Sequence, residues 1–230
     1  MNYFITATDT AAGKTYVTAL LIRALRKLGH KSIGIKPIAC GSLEDSKTLQ
    51  AAADHEISLE NITPFYYKAP LSPFHAAAEE GKIFSMNHIL STLSNLQKKH
   101  VSLLVEGVGG WLVLLSPTES IADLARATQL PILLVVRNRL GSMNHALLTL
   151  ESIKHHGCRC AGILLNHHPE DHEDPARDKY RHFFSELCKK RELPVFLEIE
   201  PGQEELILSP EHPIVHLDKE RNLLIRARET

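Results

Sequence analysis

Six short apolar runs, separated by longer amphipathic stretches, constrain the fold of this chain more than any other feature. They are YFITA (3–7), SIGIKPI (32–38), VSLLVEG (101–107), PILLVV (131–136), CAGILLN (160–166) and PVFLEI (194–199). They are nearly continuous in hydrophobicity, without the in-and-out alternation of a strand that has one wet face. Such runs belong to parallel strands covered on both sides. Between them, helical periodicity predicts helices at about 14–28, 87–99, 119–128, 143–156 and 176–191, and Gly29 and Gly157 stand where helix-terminating residues belong. Strands alternating with helices make an α/β fold, a mostly parallel sheet with helices on both faces. No repeat, linker or low-complexity tract divides the chain, so residues 1–230 are expected to form one domain with a full core. After Pro201 the pattern fades, and IVHL (214–217) reads as a last short strand.

In an open parallel sheet, ligands bind at the carboxyl ends of the strands. The polar and glycine-containing clusters fall there: TDTAAGKT after the first strand, KPIACGS after the second, EGVGGW after the third, RNRLGSMNH after the fourth and NHH after the fifth. In the first, Gly13, Lys14 and Thr15 lead from a strand into a helix. Backbone N–H groups and the positive end of the helix dipole then face an anion. Lys14 would reach the outer phosphates and the Thr15 hydroxyl would ligate Mg²⁺. The standard phosphate loop has a glycine five positions before Gly13, where this chain has Thr8. A glycine-poor loop one residue longer still wraps phosphate if Thr8, Asp9 and Thr10 fit its turns.

Glu106 closes a buried strand and suits a second Mg²⁺ ligand, while Gly107, Gly109 and Gly110 after it let backbone approach a ligand closely. Asp45, in GSLEDSK, is either a further carboxylate for that cation or a surface residue at a helix start. Lys36, just before Pro37, projects at the same edge as Lys14, and two lysines facing one cleft suit an anionic, phosphorylated intermediate. In LGSMNHA, Ser142 is a plausible N-cap, and the helix start is either simply capped or open to a substrate carboxylate.

Composition narrows the class. A net charge of −1 argues against non-specific nucleic-acid binding. No apolar run reaches the roughly 18 residues of a membrane span, and MNYFITATDT turns polar too early for a signal segment. The expectation is a soluble cytoplasmic protein. Cys40, Cys158, Cys160 and Cys188 fit neither a CxxC pair nor a common zinc site and read as thiols. The histidine-rich NHHPEDHEDPARDKYRH, interleaved with carboxylates and arginines, reads as a solvated loop and helix start, not a metal site.

Five motifs in order, TDTAAGKT, KPIACGS, SPFHAAAEEG (72–81), VEGVGGW and LGSMNHALLT, resemble the dethiobiotin synthetase family over residues 3 to about 200. Members carry a loop of the form GTDTxxGKT on a P-loop NTPase fold, which accounts for the odd spacing. The resemblance implies ATP-dependent closure of a ureido ring on 7,8-diaminononanoate with CO2, with Mg²⁺, in a homodimer. It places the nucleotide phosphates along Ala11, Ala12, Gly13, Lys14, Thr15 and Tyr16, beside Asp45, Glu106, Gly107, Val108 and Gly109. Thr15, Asp45 and Glu106 would hold Mg²⁺, and Lys14, Lys36 and Thr10 would be catalytic. The base would lie against Asn166, His167, Ile199, Glu200 and Pro201. Thr10, Lys36 and Cys40 would meet the second substrate, and its carboxylate would sit on Gly141, Ser142, Met143 and Asn144 of the other subunit.

Departures from the pattern are specific. Ala7 replaces the first loop glycine, Ala11 stands where some relatives have glutamate, and His167 replaces a common aspartate. EIEPGQ lacks an IPW-like sequence. Cys40 stands where a substrate-contacting serine is usual, and a thiol is the weaker donor. Two other readings share the sheet and the phosphate loop. A partitioning-type switch ATPase would typically add a lysine early in the loop, where ATDTAA has none. An amidoligase related to cobyrinate enzymes is usually a longer chain.

Overall fold

The computed structural model describes residues 1–216, apart from 101, 172, 175 and 176. In chain order, β1 (Asn2–Ala7) leads into α1 (Lys14–Lys27), then β2 (Ser32–Ile35), β3 (Ile38–Cys40), α2 (Glu44–Ala52), α3 (Leu59–Ile62), β4 (Phe65–Tyr67), α4 (Pro73–Glu79), α5 (Met86–Gln97) and β5 (Ser102–Glu106). There follow α6 (Ile121–Thr128), β6 (Ile132–Arg137), α7 (Ser142–His155), β7 (Cys160–Asn166), α8 (Arg177–Lys190), β8 (Val195–Ile199) and α9 (Pro213–His216).

Six strands form one parallel sheet in the order β2-β5-β1-β6-β7-β8. The strand order reverses beside β1, so the loops after β1, β5 and β6 meet at the switch point, where ligands bind in such sheets. The expected continuous burial is present: every residue of β1, β2 and β5 is buried. Alternate residues of β6 and β7 serve opposite faces. Leu134, Val136, Ile163 and Leu165 pack with Ala146 and Leu150 of α7 and Phe184 of α8. Leu133, Val135 and Leu164 join the larger core, which also holds Leu20 and Leu21 of α1, Leu49 of α2, Ile89 of α5 and Ile121 of α6.

Two readings need correction. SIGIKPI is not one strand: β2 stops at Ile35, and Ile38–Cys40 pairs instead with Phe65–Tyr67 in a separate two-stranded ribbon. Pro37 has no N–H to offer a ladder, and Lys36 N–H leaves the sheet to donate to Ile62 O at 3.0 Å. IVHL is not a strand either. Its first three residues lie in α9, Ile214 and Val215 are buried, and Tyr3 Oη donates to Ile214 O at 2.9 Å. Leu217, like Val101 and Ala176 at the starts of two other expected elements, lies outside the described residues.

Candidate active site at the carboxyl edge of the sheet

The loop between β1 and α1 closes over the switch point. Ala7, in place of the family glycine, remains in the strand, where its methyl group is accommodated without strain. Ala11 takes a left-handed conformation (φ 57°) and Gly13 another (φ 87°). At Gly13 a methyl group would also collide with the Asn166 amide. Gly13 is the N-cap of α1 and no side chain caps that helix. In contrast, Ser85 and Ser120 cap α5 and α6 with their side chains. The open first turn of α1 therefore aims its free N–H groups into the cleft.

Five side chains converge there, from α1, α2, β5 and the junction between β2 and β3. Thr15 Oγ1 donates to Glu106 Oε1 at 2.7 Å, and Lys36 Nζ donates to the same oxygen at 2.7 Å. Lys36 also pairs with Asp45 Oδ2 at 2.7 Å. Lys14 Nζ, in turn, donates to Gly109 O at 2.7 Å, joining the phosphate loop to the glycines after β5. Glu106 is fully buried and Asp45, in the first turn of α2, is half exposed. Burial pulls the Lys14 pKa down to about 8, with Glu106 opposing the shift. Burial works against the Lys36 ammonium too, but Glu106 and Asp45 outweigh it and hold its pKa above the ordinary lysine value. Burial raises the Asp45 carboxyl, and Lys36 more than reverses this, leaving it below the usual range.

Glu106 Oε2 is buried and has no hydrogen-bond partner among the described residues. An orphaned carboxylate oxygen beside a hydroxyl and a second carboxylate is an all-oxygen donor set of the kind a hard divalent cation takes. Thr15, Asp45 and Glu106 thus fit Mg²⁺.

The remaining expected residues fall on the rim. Thr10 is exposed, its N–H held by Asp9 Oδ1 at 2.7 Å. Val108 and Gly109 follow Gly107, whose N–H still pairs with Ile5 O at 2.9 Å. Cys40 ends β3, and burial pushes its thiol up to about 11 despite nearby Lys36, so it remains a thiol. Asn166 and Ile199 are register partners at the ends of β7 and β8, which brings Asn166, His167, Ile199, Glu200 and Pro201 together. Asn166 Nδ2 donates to Ala12 O at 3.0 Å, while its Oδ1 is buried without a partner. Tyr16 faces away from the phosphate loop, toward the segment after β8.

At α7 the cap is Gly141 (φ 90°), not Ser142; Ser142 lies inside the helix, with a buried hydroxyl that has no partner. Met143 and Asn144 follow in the first turn.

The histidine-rich stretch contributes His167 to a group with Glu198 and Glu200, whose ligand atoms lie within 4.8 Å of one another. Both carboxylates are already engaged by arginines, Glu198 with Arg181 at 2.7 Å and Glu200 with Arg177 at 2.6 Å. It is an ion-pair network.

Sequence reasoning missed two neighbours of the site. Asn138 is buried at the end of β6, with Oδ1 unpartnered and Nδ2 donating to Arg177 O at 2.9 Å. A polar residue just after an apolar run is the signal that singled out Glu106, and it applied here as well. Trp111 lines a cleft of about 360 Å³ with Thr8, Asp9, Thr10 and Leu148, and its indole N–H donates to Ser152 Oγ of α7 at 3.1 Å. No helix among the described residues is long and apolar enough to cross a membrane.

A family model described as an AAA domain matches residues 1–205. An ATP-dependent dethiobiotin synthetase from Akkermansia muciniphila is 40% identical over 165 residues, covering 72% of this chain and 78% of the relative. Another, from Anaeromyxobacter dehalogenans, is 42% identical over 178 residues, 75% of this chain and 79% of the relative. Among solved structures, a ParA family ATPase from Chlorobium tepidum matches with a TM-score of 0.51 at 12% identity, covering 88% of this chain and 85% of that one. The cell division protein FtsY from Thermotoga maritima matches with a TM-score of 0.52 at 12% identity, over 92% and 66%. These two likenesses establish the P-loop NTPase fold and nothing finer. The sequence relatives go further: the chain belongs to the ATP-dependent dethiobiotin synthetase family.

Proposed function

We propose that this chain, working as one domain in a cytoplasmic homodimer, converts 7,8-diaminononanoate, CO2 and ATP to dethiobiotin, ADP and phosphate. The observation that carries the reading is the convergence of Lys14, Lys36, Thr15, Asp45 and Glu106 beside an uncapped helix start. One amine of the substrate adds to CO2 and becomes a carbamate. A carbamate oxygen attacks the γ-phosphorus and ADP leaves, giving a carbamic–phosphoric anhydride. The second amine then attacks the carbonyl, phosphate departs and the ring closes.

Little of this requires covalent help from protein; it requires positioning and neutralised charge. Lys36, already held between two carboxylates, is a fixed cation for carbamate and transferring phosphoryl oxygens. Lys14 leaves Gly109 O and turns to the phosphates. Thr10 stands at the substrate end of the loop. Thr15, Asp45 and Glu106 would hold Mg²⁺, which supplies countercharge to the phosphates when bound. Backbone N–H groups of Gly141, Ser142, Met143 and Asn144 of a second copy would receive the substrate carboxylate, with the Ser142 hydroxyl close behind. Leu112 and Leu148, which line the same cleft, are more than half exposed and offer that copy an apolar seat.

The test supplies purified protein with diaminononanoate, bicarbonate, Mg²⁺ and ATP. Dethiobiotin and phosphate are expected, and Lys14→Ala or Lys36→Ala should each lower turnover by about a hundredfold to a thousandfold or more. No product, with ATP hydrolysis stimulated instead by a protein or DNA partner, would overturn the reading. Near-normal turnover in either variant would remove that lysine from the mechanism.

A further inference from the structure

The segment after β8 is a tight turn, Glu200-Pro201-Gly202-Gln203. Proline at its second position, glycine at its third with φ 70° and a Gln203 N–H donating to Glu200 O at 3.2 Å mark it as type II. The Gln203 side chain stiffens it, accepting from Glu200 N at 3.0 Å and donating to Glu205 O at 2.7 Å. Ile199 before the turn and Leu206 after it are buried in the core, while the turn itself stands off from α1. Between it and α1 lies a cavity of about 460 Å³ lined in part by Tyr16, Arg23, Ala24 and Leu206. The ion pairs across this gap and on the far side, Lys27–Glu205 and Arg177–Glu200, are partly or largely exposed, and such pairs contribute little.

One contact differs in kind. Tyr16, two residues after Lys14, donates its hydroxyl to Gln203 O at 2.6 Å, with Glu200 O 3.2 Å away. The ring bridges the gap from the first turn of α1 to the far end of the turn.

We propose that Tyr16 is a positioning residue for the nucleotide base: it ties the turn at Glu200–Gln203 to the helix that grips the phosphates, and so fixes the distance between the two halves of the nucleotide site. This rests on the reading that the base lies against Ile199, Glu200 and Pro201. The family resemblance places Tyr16 only beside the phosphates; the role of its ring and hydroxyl follows from the hydrogen bonds above. A base seated on an untethered turn would bind at the additional cost of ordering that turn, whereas a phosphate chain alone would not feel the difference.

Calorimetric titration of wild type and Tyr16→Phe with Mg-ATP and with Mg-tripolyphosphate separates the possibilities. Tyr16→Phe should bind ATP about threefold to tenfold more weakly, the effect of one neutral hydrogen bond, and tripolyphosphate within about twofold of wild type. In turnover the loss should fall on KM for ATP. Equal weakening toward both probes would mean that the substitution disturbs α1 itself, and would overturn the proposal. So would an ATP affinity that does not change. Wild-type protein that binds ATP no better than tripolyphosphate would remove the base-site reading and the proposal with it; a wild-type preference that survives intact in Tyr16→Phe removes the proposal alone.

Discussion

Lys14 and Lys36 both feel the charge of Glu106, yet burial and pairing move their pKa values in opposite directions. Lys36 has two carboxylates at hydrogen-bonding distance and keeps its proton. Lys14 instead donates to the Gly109 carbonyl, and burial brings its pKa to about 8. A depressed lysine pKa means that the folded chain holds the proton less firmly than the unfolded chain does. For this group the cost to stability is fully present at neutral pH and is relieved as pH rises through about 8 toward the ordinary value of 10.5. Nucleotide reverses the preference, because phosphate favours the ammonium. ATP binding at about pH 8.5 should therefore take up a fraction of a proton, whereas at about pH 7 this lysine is already charged and contributes almost none. Calorimetry in two buffers of different ionisation enthalpy reads this directly. Equal uptake at both pH values would assign the proton to another group.

At the level of elements, the parallel sheet was legible because its strands are apolar without interruption, and apolar on both faces for a physical reason. The phosphate loop was legible because strand, Gly-Lys-Thr and helix occur in order. What the pattern could not reveal was where a strand changes partners. Lys36-Pro37 interrupts SIGIKPI, but whether Ile38–Cys40 ends or finds a new neighbour depends on Phe65–Tyr67, a run of aromatics too short to read as a strand. Helix α4 carried a readable start in Ser72-Pro73, since proline suits the first helical position. Ser142 misled because Gly141, free to adopt φ 90°, takes the cap and leaves the serine inside.

Gly162 belongs to this scale as well. It sits opposite Val195 where β7 meets the edge strand, and a methyl group there would collide with Val195 O. Gly162→Ala should cost about 1–3 kcal/mol of stability or more, read as a lower denaturant midpoint, and should loosen β8 first. Unchanged stability would mean that β8 shifts freely, contrary to its paired register.

The whole molecule leaves an imbalance on its surface. Leu112 and Leu148 at the cleft, and Leu140 just before α7, are more than half exposed, although most of the other large apolar side chains are packed in the core. If a second copy covers them and lends Gly141–Asn144 to the site, association and turnover are linked. Leu148→Glu should shift the sedimenting species from dimer to monomer and reduce turnover together. A monomeric variant with full activity would separate the two and dissociate the site from the partner. Lys36, Asp45 and Glu106 were legible from their places at or just after the strand ends, but the helix start that would hold the carboxylate was assigned through resemblance to a family, because it gives no local signal of which copy it serves.

The cleft wall has one more consequence. Trp111 is the chain's single tryptophan, its ring buried at the cleft and its indole N–H tied to α7. Any occupant of the space beside Thr10, and any second copy pressing on Leu148, alters the surroundings of that one chromophore. The protein therefore carries its own unlabelled optical reporter, and its ultraviolet emission is a one-channel record of events at the place where substrate and subunit are proposed to meet.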